Sequence, residues 1–130
     1  MLGADTNIFV RLIMRDDDLQ CRTIEELMAT ERLFVSLSVI LETEWVLRSS
    51  YRQTRMEIAA TLTELLAVES LVFEARGDVL WALDRYAAGA DMGDMIHLIG
   101  NRDMRAFVTL DRKLSVQSGP DTPLPIRTLT

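Results

Sequence analysis

Short runs of β-forming residues alternate along this chain with stretches of helical periodicity, and that alternation limits the folds open to it. The runs are Leu2–Ala4, Leu33–Leu37 ("LFVSL"), Leu71–Glu74 and Ala106–Leu110 ("AFVTL"). A last short strand, Ile126–Leu129, follows the proline-containing loop Ser118–Pro125. Strands that alternate with helices argue for a mainly parallel sheet covered on both faces. The expected fold is therefore a three-layer α/β/α domain with a central sheet of about four to five strands. The 130 residues suit a single domain, 1–130, and there is no internal repeat or linker-like tract.

The helical stretches carry their own start and stop signals. Asn7–Met14 reads as the first helix. Asp16, Asp17 and Asp18 offer N-caps for a second, reaching about Thr30, with Ile24, Leu27 and Met28 at helical spacing. Ser38 is the expected cap of a helix carrying Leu41, Trp45 and Val46 and ending near Tyr51. Thr54, with Glu57 three residues later, matches a capping box for a helix reaching about Val68. Asp78–Ala88 is a helix with Gly89 as its stop, and another begins near Met92–Asp94.

Composition excludes several classes. No apolar run is long enough to span a bilayer, and no secretory signal opens the chain. The single cysteine, Cys21, forms no internal disulfide, and no Cys/His pattern suggests zinc. The expectation is a cytoplasmic protein in a reducing setting. With 14 basic against 20 acidic residues, the net charge is −6. That balance argues against a non-specific nucleic-acid binder, although a local basic rim remains compatible with it.

The acids fall at informative places. Asp5 ends the first strand and Asp111 ends the fourth. Glu42 lies in the first turn or so of the helix after the second strand, and Asp94 opens a helix with Asp91 just before it. In a parallel sheet, strand ends and the helix starts that follow share one edge, where ligands bind. Each acid alone also has a plain reading. Asp5, Asp91 and Asp94 suit helix starts, Asp111 suits a turn, and Glu42 an exposed surface. Together, clustered carboxylates repel one another and raise each other's pKa values. A hard divalent cation such as Mg²⁺ or Mn²⁺ relieves that repulsion and prefers oxygen ligands. Such sites commonly serve phosphodiester hydrolysis.

Four segments carry a resemblance. "ADTN" (Ala4–Asn7), "SVILETEWVLRSSY" (Ser38–Tyr51), "ADMGDMIHLIG" (Ala90–Gly100) and "FVTLDRKL" (Phe107–Leu114) resemble, in order and over nearly the whole chain, the signature segments of PIN-domain ribonucleases. They look like the VapC-like toxins of bacterial toxin–antitoxin pairs. The resemblance implies a metal-dependent endoribonuclease whose acidic site falls on Asp5, Glu42, Asp94 and Asp111. Asp5, Asp94 and Asp111 would hold Mg²⁺ (or Mn²⁺), and Glu42 would complete the site or orient the attacking water. Asn7 and Thr109 match polar positions lining such sites, and Asp91 matches a secondary acid. Glu44 competes with Glu42, and the spacing to "WVL" favours Glu42. Met92 and Met95 depart from the family pattern around the third acid. The implied partners are an RNA substrate, a VapB-like antitoxin lying over the groove, and a second copy of the chain in a homodimer. DNA enters only through the antitoxin, and no membrane is involved. The alternative is a non-catalytic protein of this fold that acts in a DNA-bound complex with its antitoxin.

Other residues are read more plainly. His97 shares a helix face with Asp94 and is expected to be structural and partly buried. Trp45 and Trp81 are expected as core or dimer contacts rather than base-stacking platforms. Arg11, Arg48, Arg112 and Lys113 are candidate phosphate contacts or solvated surface in equal measure. An aspartyl-phosphate phosphatase would want a second aspartate where Asn7 stands, and a phosphate-binding loop would want glycines that "DTNIF" lacks.

Overall fold

The computed structural model describes residues 1–130. In chain order the elements are β1 (Leu2–Gly3), α1 (Thr6–Met14), α2 (Asp18–Met28), β2 (Leu33–Val35), α3 (Leu37–Ser49), α4 (Arg55–Leu66), β3 (Leu71–Phe73), α5 (Arg76–Ala87), α6 (Met92–Gly100), β4 (Phe107–Thr109), α7 (Leu114–Ser118) and β5 (Ile126–Thr128). Every strand pairing is parallel. The class is α/β, with helices and parallel strands in the three-layer arrangement expected from the alternation. No helix is long and apolar enough to cross a membrane.

The sheet departs from expectation in one respect. Its strands form two ladders, β1–β2–β3 with β2 central, and β4–β5. β1 has only two residues, and the amides of Leu2 and Ala4 donate toward the β2 side, to Arg32 and Phe34. Too little β1 backbone is left to continue the ladder to β4.

The central strands are buried on one face and partly covered on the other, where Phe34 and Val72 lie. Leu33, Val35, Leu71 and Phe73 are all buried. Phe73 meets Phe9 of α1 edge to face, with ring centres 5.7 Å apart. The strands therefore anchor the N-terminal half of α1, and with it the residues just after β1. Helix α3 packs on α1 and α6, and α5 on α4 and α6.

Cap chemistry sets the helix starts. Asp5, Asp17 and Asp91 cap α1, α2 and α6, each accepting from a backbone amide three residues on. Ser36, rather than Ser38, caps α3. Ser38 lies inside the first turn with its hydroxyl on that of Ser36, and Glu74 at the end of β3 also accepts from the Leu37 amide. The helix thus begins earlier than the sequence suggested because two partners wait for its free N–H groups. Its buried stripe is Ile40, Thr43, Glu44 and Leu47. Trp45, expected in the core or a dimer contact, is 56% exposed, whereas Trp81 packs partly buried against the core. The short helix α7 carried no sequence signal strong enough to predict.

The capping box at Thr54 and Glu57 is complete in both directions. Thr54→Ala is expected to lower the unfolding free energy by about 1 kcal/mol. Denaturant unfolding checks this, and an unchanged midpoint would contradict a role for the box in stability.

Candidate functional site

Asp5 follows β1 directly. Its carboxylate is exposed and accepts from the Ile8 amide at 3.1 Å. Thr6, the next residue, is buried and donates its hydroxyl to Glu42 of α3 in a short hydrogen bond. That bond joins the first strand end to α3 and fixes which way the Glu42 carboxylate faces. Glu42 itself is exposed. Its rival Glu44 points the other way. It is 4% exposed, accepts from Arg48 Nε at 2.8 Å and from the Tyr86 hydroxyl at 3.3 Å, and serves the interior. Burial and the nearby Glu44 charge push the Tyr86 phenol up to about 12.

The second group of acids gathers around α6. Asp91 caps this helix by accepting from the Asp94 amide at 2.9 Å. A side chain on Gly93 would meet that carboxylate, since an added Cβ falls 3.0 Å from Asp91 Oδ2. Glycine therefore leaves the cap room to close. Asp94 is half-buried, and its carboxyl lies above the ordinary aspartate range. Burial is the first cause, followed by the negative charges of Asp91 and Asp111, with His97 opposing them. Asp111, from the end of β4, is thus in electrostatic reach of Asp94 although distant in sequence. Its carboxylate accepts from the Lys113 amide, and its own amide donates to the Thr109 hydroxyl. His97 is exposed, not partly buried as expected, because it faces outward from α6 beside Asp94.

What holds α6 in place was not visible in the sequence. Arg55, at the start of α4, lies over the Tyr86 ring at 4.4 Å. It donates to the carbonyls of Tyr86 and Ala90 at 2.8 and 2.6 Å. The arginine thereby clamps the turn between α5 and α6, immediately before Asp91.

Two depressions divide some of these acids, and neither is lined by Asp94 or Asp111. Ser38, Glu42, Trp45, Arg48, Asp91 and Gly93 line a cavity of about 510 Å³, which also reaches Leu41 and Glu44. Asp5 and Asn7 open instead into a groove of about 550 Å³ between α1 and α2, with Ile8, Leu19 and Ile24 as its apolar lining. No three of the acidic, histidine or cysteine side chains lie close enough together to chelate a metal ion. Of the expected acids, Asp91 and Asp111 lie near enough to Asp94 to act on its carboxyl, whereas Asp5 and Glu42 open into separate depressions. The donor chemistry still fits a hard divalent cation. All the donors are carboxylate oxygens, and their mutual repulsion at Asp94 is the uncompensated charge that such an ion would neutralise. Magnesium typically binds through one or two carboxylates and keeps its waters.

Because the Asp94 carboxyl is raised, folding favours its protonated form. The stability associated with that proton is present in acid and is lost as pH rises through the raised value. Asp94→Asn is therefore expected to raise Tm at neutral pH, with the gain shrinking as pH falls through the carboxylate range. Thermal melts at several pH values check this, and a lower Tm at neutral pH would contradict it.

Neither curated proteins nor solved structures give a significant match to the chain. The family model for the PIN domain matches residues 4–115, a span that contains Asp5, Glu42, Asp91, Asp94 and Asp111, and the chain belongs to the PIN domain family.

Proposed function

We propose that this protein is a metal-dependent endoribonuclease of the VapC-like toxin type. Membership of the PIN domain family supports a nuclease-type function. The observation that carries the finer reading is the raised carboxyl of Asp94, caused in part by acids from the helix cap and from the end of β4. Carboxylates kept close at an electrostatic cost that His97 only partly offsets suit a cation site.

In this reading Asp94, Asp111 and Asp5 would hold Mg²⁺ or Mn²⁺ directly or through water. The bound ion would activate a water and stabilise charge on the scissile phosphate. Glu42 orients that water and receives its proton. The Thr6 hydroxyl keeps the Glu42 carboxylate aimed, which spares it a search among rotamers. Asp91 holds the start of α6 and so the position of Asp94. Asn7 and Thr109 support Asp5 and Asp111 at their strand ends.

A VapB-like antitoxin is the proposed partner. The groove beside Asp5 supports this, because Ile8, Ile24 and the exposed Leu19 give it an apolar lining next to a candidate site acid. Arg11 lies there too, but it is engaged by Asp16 and Gln20, leaving little positive charge to hold RNA. A homodimer is proposed with the same toxin assembly.

The test is cleavage of a panel of structured RNAs by the purified chain, free of partner, with Mg²⁺, with Mn²⁺ and with chelator. Metal-dependent cutting is expected, falling by about 100-fold in Glu42→Gln through loss of the proton acceptor, and becoming undetectable in Asp94→Asn. Equal cutting by wild type and Asp94→Asn would sink the assignment. So would the absence of cutting by a folded chain across the panel, which would favour the non-catalytic partner-binding alternative.

A further inference from the structure

Helix α3 carries an exposed stripe of which the proposed chemistry uses only Glu42. Ser38, Glu42, Trp45 and Arg48 follow one another at spacings of three and four residues, on one face of the helix. All four line the 510 Å³ cavity, with Asp91 on its other side. Its volume is in the range of small-ligand sites. Trp45 is 56% exposed there, so its ring face is open rather than spent on the core.

Arg48 differs from an ordinary surface arginine. Its Nε donates to the buried Glu44 at 2.8 Å, and Glu44 is held in turn by the Tyr86 hydroxyl. The anchor is 6% exposed while the arginine side chain remains 55% exposed. One edge of the guanidinium is therefore fixed to the interior. The terminal nitrogens make no hydrogen bond within the chain, and Arg48 lines the cavity. A planar cation oriented this way suits a phosphate oxygen.

We infer that Trp45 and Arg48 form a nucleotide subsite beside the acids, in which the indole stacks on an unpaired RNA base and the guanidinium contacts a neighbouring phosphate. The inference rests on the nuclease reading for its direction along the chain. Helical rise puts Trp45 about 4.5 Å and Arg48 about 9 Å along the axis from Glu42. A strand whose scissile phosphate lies at Glu42 and Asp94 thus passes its next base over Trp45. Stacking needs a base freed from a duplex. The fixed arginine also answers the acidic balance of the chain, by placing one oriented positive charge where the strand runs.

The test separates binding from cutting. A fluorescein-labelled single-stranded oligoadenylate RNA is titrated with the full chain in chelator at low salt, and read by anisotropy. Trp81→Phe leaves Trp45 as the only tryptophan, whose fluorescence is expected to be quenched by the RNA. Trp45→Ala is expected to weaken binding by about 10-fold, the loss of one stacked base, and Trp45→Phe to recover part of it. Arg48→Gln, which keeps a donor for Glu44, is expected to reduce the salt slope of binding by about 0.7. If Trp45→Ala binds and cuts as wild type does, the subsite is wrong while the nuclease reading stands. If the chain binds through Trp45 and never cuts, the nuclease reading fails and the subsite stands. If Trp45→Ala converts a dimer to a monomer with RNA affinity unchanged, the stripe is an interface between copies and the inference is overturned.

Discussion

The parallel direction of all five strands is the constraint on which the placement of the acids depends. Parallel strands need a crossover after each, and each crossover here is helical. Residues that leave a strand therefore enter helix starts along a common edge. Asp5 after β1 and Asp111 after β4 sit where the chain has just left a strand. Glu42 and Glu74 lie near the start of α3, and their fates divide. Glu74 is used on the α3 N-terminus, while Glu42 is turned outward by Thr6. A helix N-terminus attracts negative charge, so acids collect at this edge for structural reasons as well as chemical ones.

Asp94 obeys a different constraint, since α6 follows another helix rather than a strand. Its position comes from the polar network beneath it. Arg55 binds the two carbonyls of the α5–α6 turn and stacks on Tyr86, Tyr86 reaches Glu44, and Glu44 holds Arg48. A glutamate this deeply buried is costly unless it is paired and hydrogen-bonded, and both conditions are met. The network links α3, α4 and α5 to the turn that presents Asp91 and Asp94. It also carries a price in tolerance, because removing a member strips a hydrogen bond from a buried neighbour.

The same edge sets stability against function. Asp94 lies half-buried among like charges, and its ionised form is held at a disadvantage. Nothing in the fold requires an acid there, as the cap of α6 is already supplied by Asp91. Perturbed carboxylates of this kind are a recurrent mark of functional sites. The exposed Trp45 on the neighbouring helix is a second local departure from what folding alone would select.

Much of this was legible in the residues themselves. Period and propensity located the five strands and six of the seven helices, because their apolar spacing is local. The Thr54–Glu57 box and the Gly89 stop were equally local, and Gly89 does adopt a positive φ of 115°. The acids stood at strand ends and helix starts for any reader of the sequence to see. Cap choice at α3 was not legible, since Ser36 and Ser38 are both competent and Glu74, distant in sequence, helped decide. Nor was the break between β1 and β4, which depends on how much backbone a two-residue strand leaves free. The exposure of Trp45 and His97 turned on which face of their helices met the core. Pairing Thr6 with Glu42, and Arg55 with the turn before Asp91, likewise needed contacts between residues far apart in the chain. The sequence by itself determined which groups could do chemistry, because side-chain type and local period are written in it. Tertiary structure alone decided which carboxylates face one another and which are spent on caps or ion pairs, because that depends on packing distances between elements.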